Sequence, residues 1–300
     1  MWFSTAMMMK IFVNIINTWA TKAPMTTARY YLTSSVVNNK IYVIWWHNWA
    51  VLNTNEEYNP LTNTWATKTV MPTSRYTLGS SVVNNKIYVI WWHNWSVYLD
   101  TNEEYDPSLN TWATKAVMPT ARWAFWIASA NNKIYCIGWS SAIDWWLDTN
   151  EEYDPSLNTW ATKAVMLSQR HDLTASSVNN LVYCIWWYFW VWTSQVNEEY
   201  NPILNTWSSK AIMPWDFRFE ITSSVVNNKI YCIWWIQWVT PYWYSKVNQE
   251  YNPLTNVWTN KLDMITARTQ LTSSAVSWKI YCIGWHDWAT WLNINEEYTP

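Results

Sequence analysis

Six arginines stand at matching places along this 300-residue chain: Arg29, Arg75, Arg122, Arg170, Arg218 and Arg268. Arginine presents a planar, permanently charged fork of donors that suits a carboxylate. Gathered around one opening, six of them would form a cationic ring for an acidic ligand. They also have a structural use, because an Asn-Glu-Glu-Tyr segment recurs with them and an Arg–Glu pair can hold repeated units together. Occurrence in every unit favours the structural use, since a ligand site breaks symmetry. Three histidines, His47, His93 and His286, each follow the same two-residue slot, and His171 follows Arg170. Equivalent loop histidines are a chemistry that suits a metal. These belong to the first, second and sixth units and show no legible second shell, so loop composition accounts for them and no metal site is expected. Cys136, Cys184, Cys232 and Cys282 share one position, where the first two units have Val43 and Val89. They read as small buried apolar residues rather than as disulfides or metal ligands. Stacking and hydrogen-bonding groups concentrate in two long segments. Tyr188 and Phe189 lie in 188–195, and Gln237, Tyr242, Tyr244 and Lys246 lie in 236–247. No nucleophile elbow, phosphate loop or zinc-protease motif occurs, and no cofactor is implied.

The elements that must position these groups come from a repeat. The tyrosine of "NNKIYVIWW" recurs at Tyr42, Tyr88, Tyr135, Tyr183, Tyr231 and Tyr281, at spacings of 46, 47, 48, 48 and 50. A second tyrosine recurs at Tyr58, Tyr105, Tyr153, Tyr200, Tyr251 and Tyr298. A tryptophan recurs at Trp19, Trp65, Trp112, Trp160, Trp207 and Trp258. Each unit reads as four short strands with period-2 alternation and no helical periodicity. Asn-Asn supplies a tight turn between the first two, because asparagine tolerates the left-handed conformations that two-residue hairpins need. Four strands in about 47 residues, repeated six times, predict an all-β, six-bladed β-propeller of antiparallel blades. The chain starts on a fourth strand (14–19) and ends after a third (295–299), so the two are expected to pair and close the ring, the alternative being a fragment of a longer array. Closure removes the sheet edges that otherwise invite aggregation. The predicted divisions are a leader of unknown role at 1–13 and a propeller at 14–300. Its blades run near 24–70, 71–117, 118–165, 166–212, 213–263 and 264–300 with 14–23.

"Glu-Glu-Tyr-Asp-Pro-Ser-Leu-Asn-Thr-Trp" at 103–112 and 151–160, with "Met-Pro-Thr-Ala-Arg" at 118–122, resembles the kelch repeat. The resemblance covers about residues 14–300. It implies a partner-binding face formed by the loops between strands four and one and between strands two and three. On that face the six arginines would ring the channel mouth. The family carries a Gly-Gly pair after the second strand. Here the twelve equivalent positions hold ten Trp and two Gly, Gly138 and Gly284.

Composition makes the same point. The chain has 31 Trp and 3 Gly, against about 7% Gly in ordinary usage. Six Trp are fourth-strand markers, which leaves 31 − 6 = 25. With glycine in those places the sequence becomes a familiar one: Ser-Trp-Lys-Ile-Tyr at 277–281 turns into a hairpin signal. The pattern therefore predicts glycines encoded by UGA, which some bacterial lineages read as Gly while other codes read it as Trp. The rival reading is a Trp-rich surface that stacks on sugars or bases.

Net charge of −2 without a basic block argues against nucleic acid, and no apolar run approaches a membrane span. Half the residues are hydrophobic, which argues against disorder. The N-terminus lacks a clear signal peptide, so localisation is open. The expected function is a kelch-like binding or scaffold module, a monomer with a protein or peptide partner and a glycan as another ligand class. The alternative is a carbohydrate-active enzyme similar to kelch-type sialic-acid epimerases or sugar oxidases, although no blade-specific carboxylate or copper ligand set stands out. A third is a structural propeller within a larger surface protein.

Overall fold

The computed structural model describes residues 17–28, 32–44, 53–73, 79–90, 100–121, 126–139, 147–169, 173–187, 194–214, 218–219, 221–233, 236–237, 243–244, 246–268, 271–284 and 293–300. Six four-stranded antiparallel sheets make six blades. Blade one comprises Thr33–Val37, Lys40–Ile44, Asn55–Asn59 and Thr64–Thr67. The others repeat this order, starting at Gly79–Val83, Trp126–Ala130, Thr174–Val178, Thr222–Val226 and Thr272–Val276. The first strands lie side by side in blade order, and the first strand of blade six returns to that of blade one. The ring is closed as expected: Thr18–Lys22 forms the outer strand of blade six, with Trp19 opposite Tyr298.

Each hairpin between strands one and two turns on two residues with positive φ, as at Asn38 (51°) and Asn39 (58°). Asparagine is among the few side chains that enter this region at low cost. The second strands depart from simple alternation. Lys40–Ile44 is buried at every position after the lysine, because each blade is sandwiched between two neighbours and both its faces are covered. First strands alternate, and fourth strands, at the rim, are mostly exposed.

The core lies between the blades. One cluster joins Tyr183 and Ile185 of blade four to Ile230, Cys232 and Tyr251 of blade five, with Met213 from the connection. Equivalent clusters fill the other described seams, including that between blades six and one. Second-strand tyrosines meet third-strand tyrosines of the next blade, from Tyr42–Tyr105 at 5.9 Å to Tyr281–Tyr58 at 5.7 Å. The four cysteines are buried and form no disulfide among the described residues, in register with Val43 and Val89.

A polar bolt fastens each seam at the rim. The residue after each fourth strand, or the second after it in blade one (Thr69), gives its N–H to an asparagine of the next blade and its carbonyl to that blade's tryptophan. Ala116 illustrates it: its N–H donates to Asn158 Oδ1 at 2.8 Å, and its oxygen accepts from Trp160 Nε1 at 2.8 Å. Asn158 Oδ1 also accepts from Tyr153 Oη at 2.7 Å. The sixth bolt closes the ring through Leu262, Asn17 and Trp19.

Candidate functional site

The strand register fixes which loops share an end of the propeller. Thr33, at the start of a first strand, lies opposite Ile44, and Ile44 lies opposite Asn55. The four-to-one and two-to-three loops therefore emerge together, away from the Asn-Asn hairpins. This is the end where the sequence places its candidate ligand residues.

Most of those candidates fall outside the described residues: Arg29, Arg75, Arg122, Arg170, His47, His93, His286, Tyr188 and Tyr242. Arg218 and Gln237 are placed by their backbone. Arg218–Phe219 pairs antiparallel with Ile236–Gln237, putting Arg218 opposite Gln237. Ile236–Gln237 pairs in turn with Trp243–Tyr244. The long loop of blade five thus folds into a three-stranded sheet of its own, with the blade's arginine on one of its strands. No other blade has such an addition among the described residues.

Arg268 is described in full, and it is built into its own blade. Its side chain is 0% exposed and donates from Nη2 to Glu296 Oε2 at 2.7 Å. Nη1 reaches the carbonyls of Gly284 and Ile294, each at 3.4 Å. A charge wholly removed from water needs a partner of this kind. The geometry gives Arg268 the structural use weighed above, tying the incoming loop to strands two and three of blade six.

Glu296 occupies the first acidic position of the third strand. In blades two, three and four a hydroxyl two residues before the arginine reaches the same position: Thr73 to Glu103 at 2.8 Å, Thr120 to Glu151 at 2.7 Å, and Ser168 to Glu198 at 2.8 Å. Blade five differs. It has Gln249 there, opposite Cys232 as Glu296 is opposite Cys282. Asp216 replaces the hydroxyl residue. Gln249 is buried, donates from Nε2 to Asn260 at 2.8 Å, and its Oε1 has no partner among the described residues.

The second acidic position is structural throughout. Glu57 accepts from Lys40 (2.7 Å) and Tyr42 (2.7 Å) and pairs with Lys68 at 3.0 Å. Burial pushes its pKa up, but these three partners outweigh burial and hold the carboxyl below its usual range. Glu104, Glu152, Glu250 and Glu297 are held down in the same way. The phenols respond oppositely: burial first, then the adjoining carboxylate, pushes Tyr42 far above its ordinary value.

One feature of the innermost wall escaped sequence reasoning. Hydroxyls of neighbouring first strands interlock. Thr33 and Ser35 bracket Ser80 at 2.7 and 2.9 Å, and Thr174 and Ser176 bracket Ser223 at 2.6 and 2.7 Å. Blade three interrupts the belt with Trp126, Ile127 and Ala128. The recurring Thr-Ser-Ser was the available signal. No group of three or more His, Cys, Asp or Glu able to hold a metal occurs among the described residues. No helix among them is long and apolar enough to cross a membrane.

Comparison with known proteins agrees with this architecture. A family model described as the kelch motif matches residues 28–69 and 74–119. The solved structure of YjhT superposes with a TM-score of 0.75 at 11% identity, covering 93% of this chain and 95% of that one. At that identity the likeness shows the fold alone. No curated protein sequence matches.

Proposed function

We propose, from the premise that this chain is a six-bladed kelch-repeat β-propeller, that it is a bacterial binding module recognising an acidic protein or peptide segment. Recognition takes place at the end bearing the four-to-one and two-to-three loops. The observation that carries the reading is the asymmetry of blade five. A propeller held by six equivalent bolts presents a nearly symmetric body, and specificity must come from where the symmetry fails. Among the described residues only blade five adds a sheet from its long loop, and that sheet sets Arg218 opposite Gln237. Arginine and an amide together suit a carboxylate with a neighbouring backbone or side-chain amide. We propose that it acts as a monomer, because the ring closes within one chain.

Peptide and glycan arrays probed with the purified chain test the reading. Retention of acidic peptides, with no turnover of sialic acids, supports it. Conversion of a sialic acid, or retention of neutral glycans only, contradicts it and favours the carbohydrate-active alternative.

A further inference from the structure

The tryptophans of this chain divide into two physically different sets. Those of the fourth strands are built in. Each Nε1 donates to a carbonyl of the preceding blade, from 2.7 Å at Trp207 to 2.9 Å at Trp65, Trp112, Trp258 and Trp19. Each ring lies 4.9–5.1 Å from its own blade's tyrosine.

Of the other 25, two have described side chains, and both are misplaced. Trp278 occupies the second turn position of blade six with φ of 69°. The five other blades have Asn39, Asn85, Asn132, Asn180 and Asn228 there. A left-handed conformation costs an ordinary L-residue about 1–2 kcal/mol, and Trp278 is 72% exposed, so no packing offsets that cost. Trp126 begins the first strand of blade three, opposite Ile137, as Gly79 begins that of blade two, opposite Ile90. Its indole N–H is buried without a partner among the described residues. A stranded buried donor costs about 1–3 kcal/mol.

The slot after the second strand gives an independent indication. Gly138 and Gly284 occupy its first position in blades three and six, with φ of 77° and 86°. At Gly138 the ladder between strands two and three shifts register, the kind of bulge that glycine permits. The same position is Trp45, Trp91, Trp186 and Trp234 in the remaining blades. Blade four repeats the register shift across Trp186.

We infer that the protein made in its own cells carries glycine at these 25 positions, inserted at UGA codons, and tryptophan only at the six bolts. Glycine would then total 3 + 25 = 28 and tryptophan 6. The loop end of the propeller becomes a glycine-rich surface. A ligand is then read there by arginine, histidine, tyrosine and glutamine rather than by stacked indoles.

Two tryptic peptides of the chain purified from its source cells decide the matter, read by tandem mass spectrometry. Peptide 269–279 is expected to contain glycine at position 278, whereas peptide 247–261 retains Trp258 as internal control. Tryptophan at 278, or UGG codons at 45, 46, 91 and 92, would overturn the inference. As a physical check on the recombinant chain, Trp278→Gly should raise the urea midpoint, and a lowered midpoint counts against it. None of these readouts depends on ligand binding, so they stand or fall apart from the proposed function.

Discussion

Asn158 is the most exacting test of how the blades are held together. Its Oδ1 accepts both the Ala116 N–H of the preceding blade and the Tyr153 hydroxyl of its own, and its backbone sits at φ of 55°. Asn158→Gly keeps the backbone free and removes the acceptor. Stranding the Tyr153 hydroxyl costs about 1–3 kcal/mol and losing the more exposed bond to Ala116 about 0.5–1.5 kcal/mol, so the total is about 1.5–4.5 kcal/mol. Asn158→Ala loses the same bonds and forces a Cβ into the left-handed region, adding about 1–2 kcal/mol. Tyr153→Phe removes one of the two donors. In combination with Asn158→Gly it should therefore cost less than the sum, with a coupling of about 0.5–3 kcal/mol. Urea unfolding followed by fluorescence of the bolt tryptophans measures all four chains, read as midpoint shifts at constant slope. An unchanged midpoint for Asn158→Gly, or an alanine variant no worse than the glycine one, would refute the bolt.

Four further outcomes are expected. Glu57, Glu104, Glu152, Glu250 and Glu297 have pKa values below the carboxylates of the unfolded chain. Their contribution is therefore present above pH of about 4.3 and lost as pH falls through the folded values. The urea midpoint should drop through that window, and less steeply in Glu152→Gln. At the alkaline end Tyr58, pushed up to about 12 by burial and by Glu297, loses stability for the fold as pH rises above its unfolded value, an effect smaller in Tyr58→Phe, where Tyr105, Tyr153, Tyr200 and Tyr251, also pushed up to about 12, still titrate. Arg268→Met strands the buried Glu296 carboxylate and should cost about 3–5 kcal/mol, whereas Arg268→Met with Glu296→Leu recovers much of it. If the single variant matches the parent in the urea midpoint, the buried pair is not structural. All four cysteines are buried, and burial pushes the Cys282 thiol up to about 12. A thiol reagent should label none of them in the folded chain and four in urea, and rapid labelling of the native protein would contradict the packing.

Sequence spacing revealed the blades because each strand carries a marker that its position requires. Asn-Asn marks a turn with positive φ, and the fourth-strand tryptophan marks a seam. The ring partner was legible for the same reason, since the markers identify Thr18–Lys22 as a fourth strand and Asn295–Thr299 as a third, and the two pair. The apolar second strand was harder, because burial on both faces erases the alternation that one-sided sheets show. The double role of Asn63, Asn110 and Asn158 left no trace in the sequence, as turn chemistry alone explains an asparagine there. The arginines looked alike in sequence. What distinguishes them is the partner that the third strand presents: Glu296 for Arg268, and a position held by Gln249 in the blade of Arg218.

The most direct test of the binding account is calorimetric titration of an acidic peptide, selected on the array, into the chain and two variants. Arg218→Ala removes a charged contact of about 1.5–3 kcal/mol, so its affinity should fall by about tenfold or more. Lys86→Ala, beside the hairpin at the opposite end, should bind like the parent. Equal affinity for the parent and Arg218→Ala, or a matching loss in Lys86→Ala, would contradict a site at the loop end of blade five.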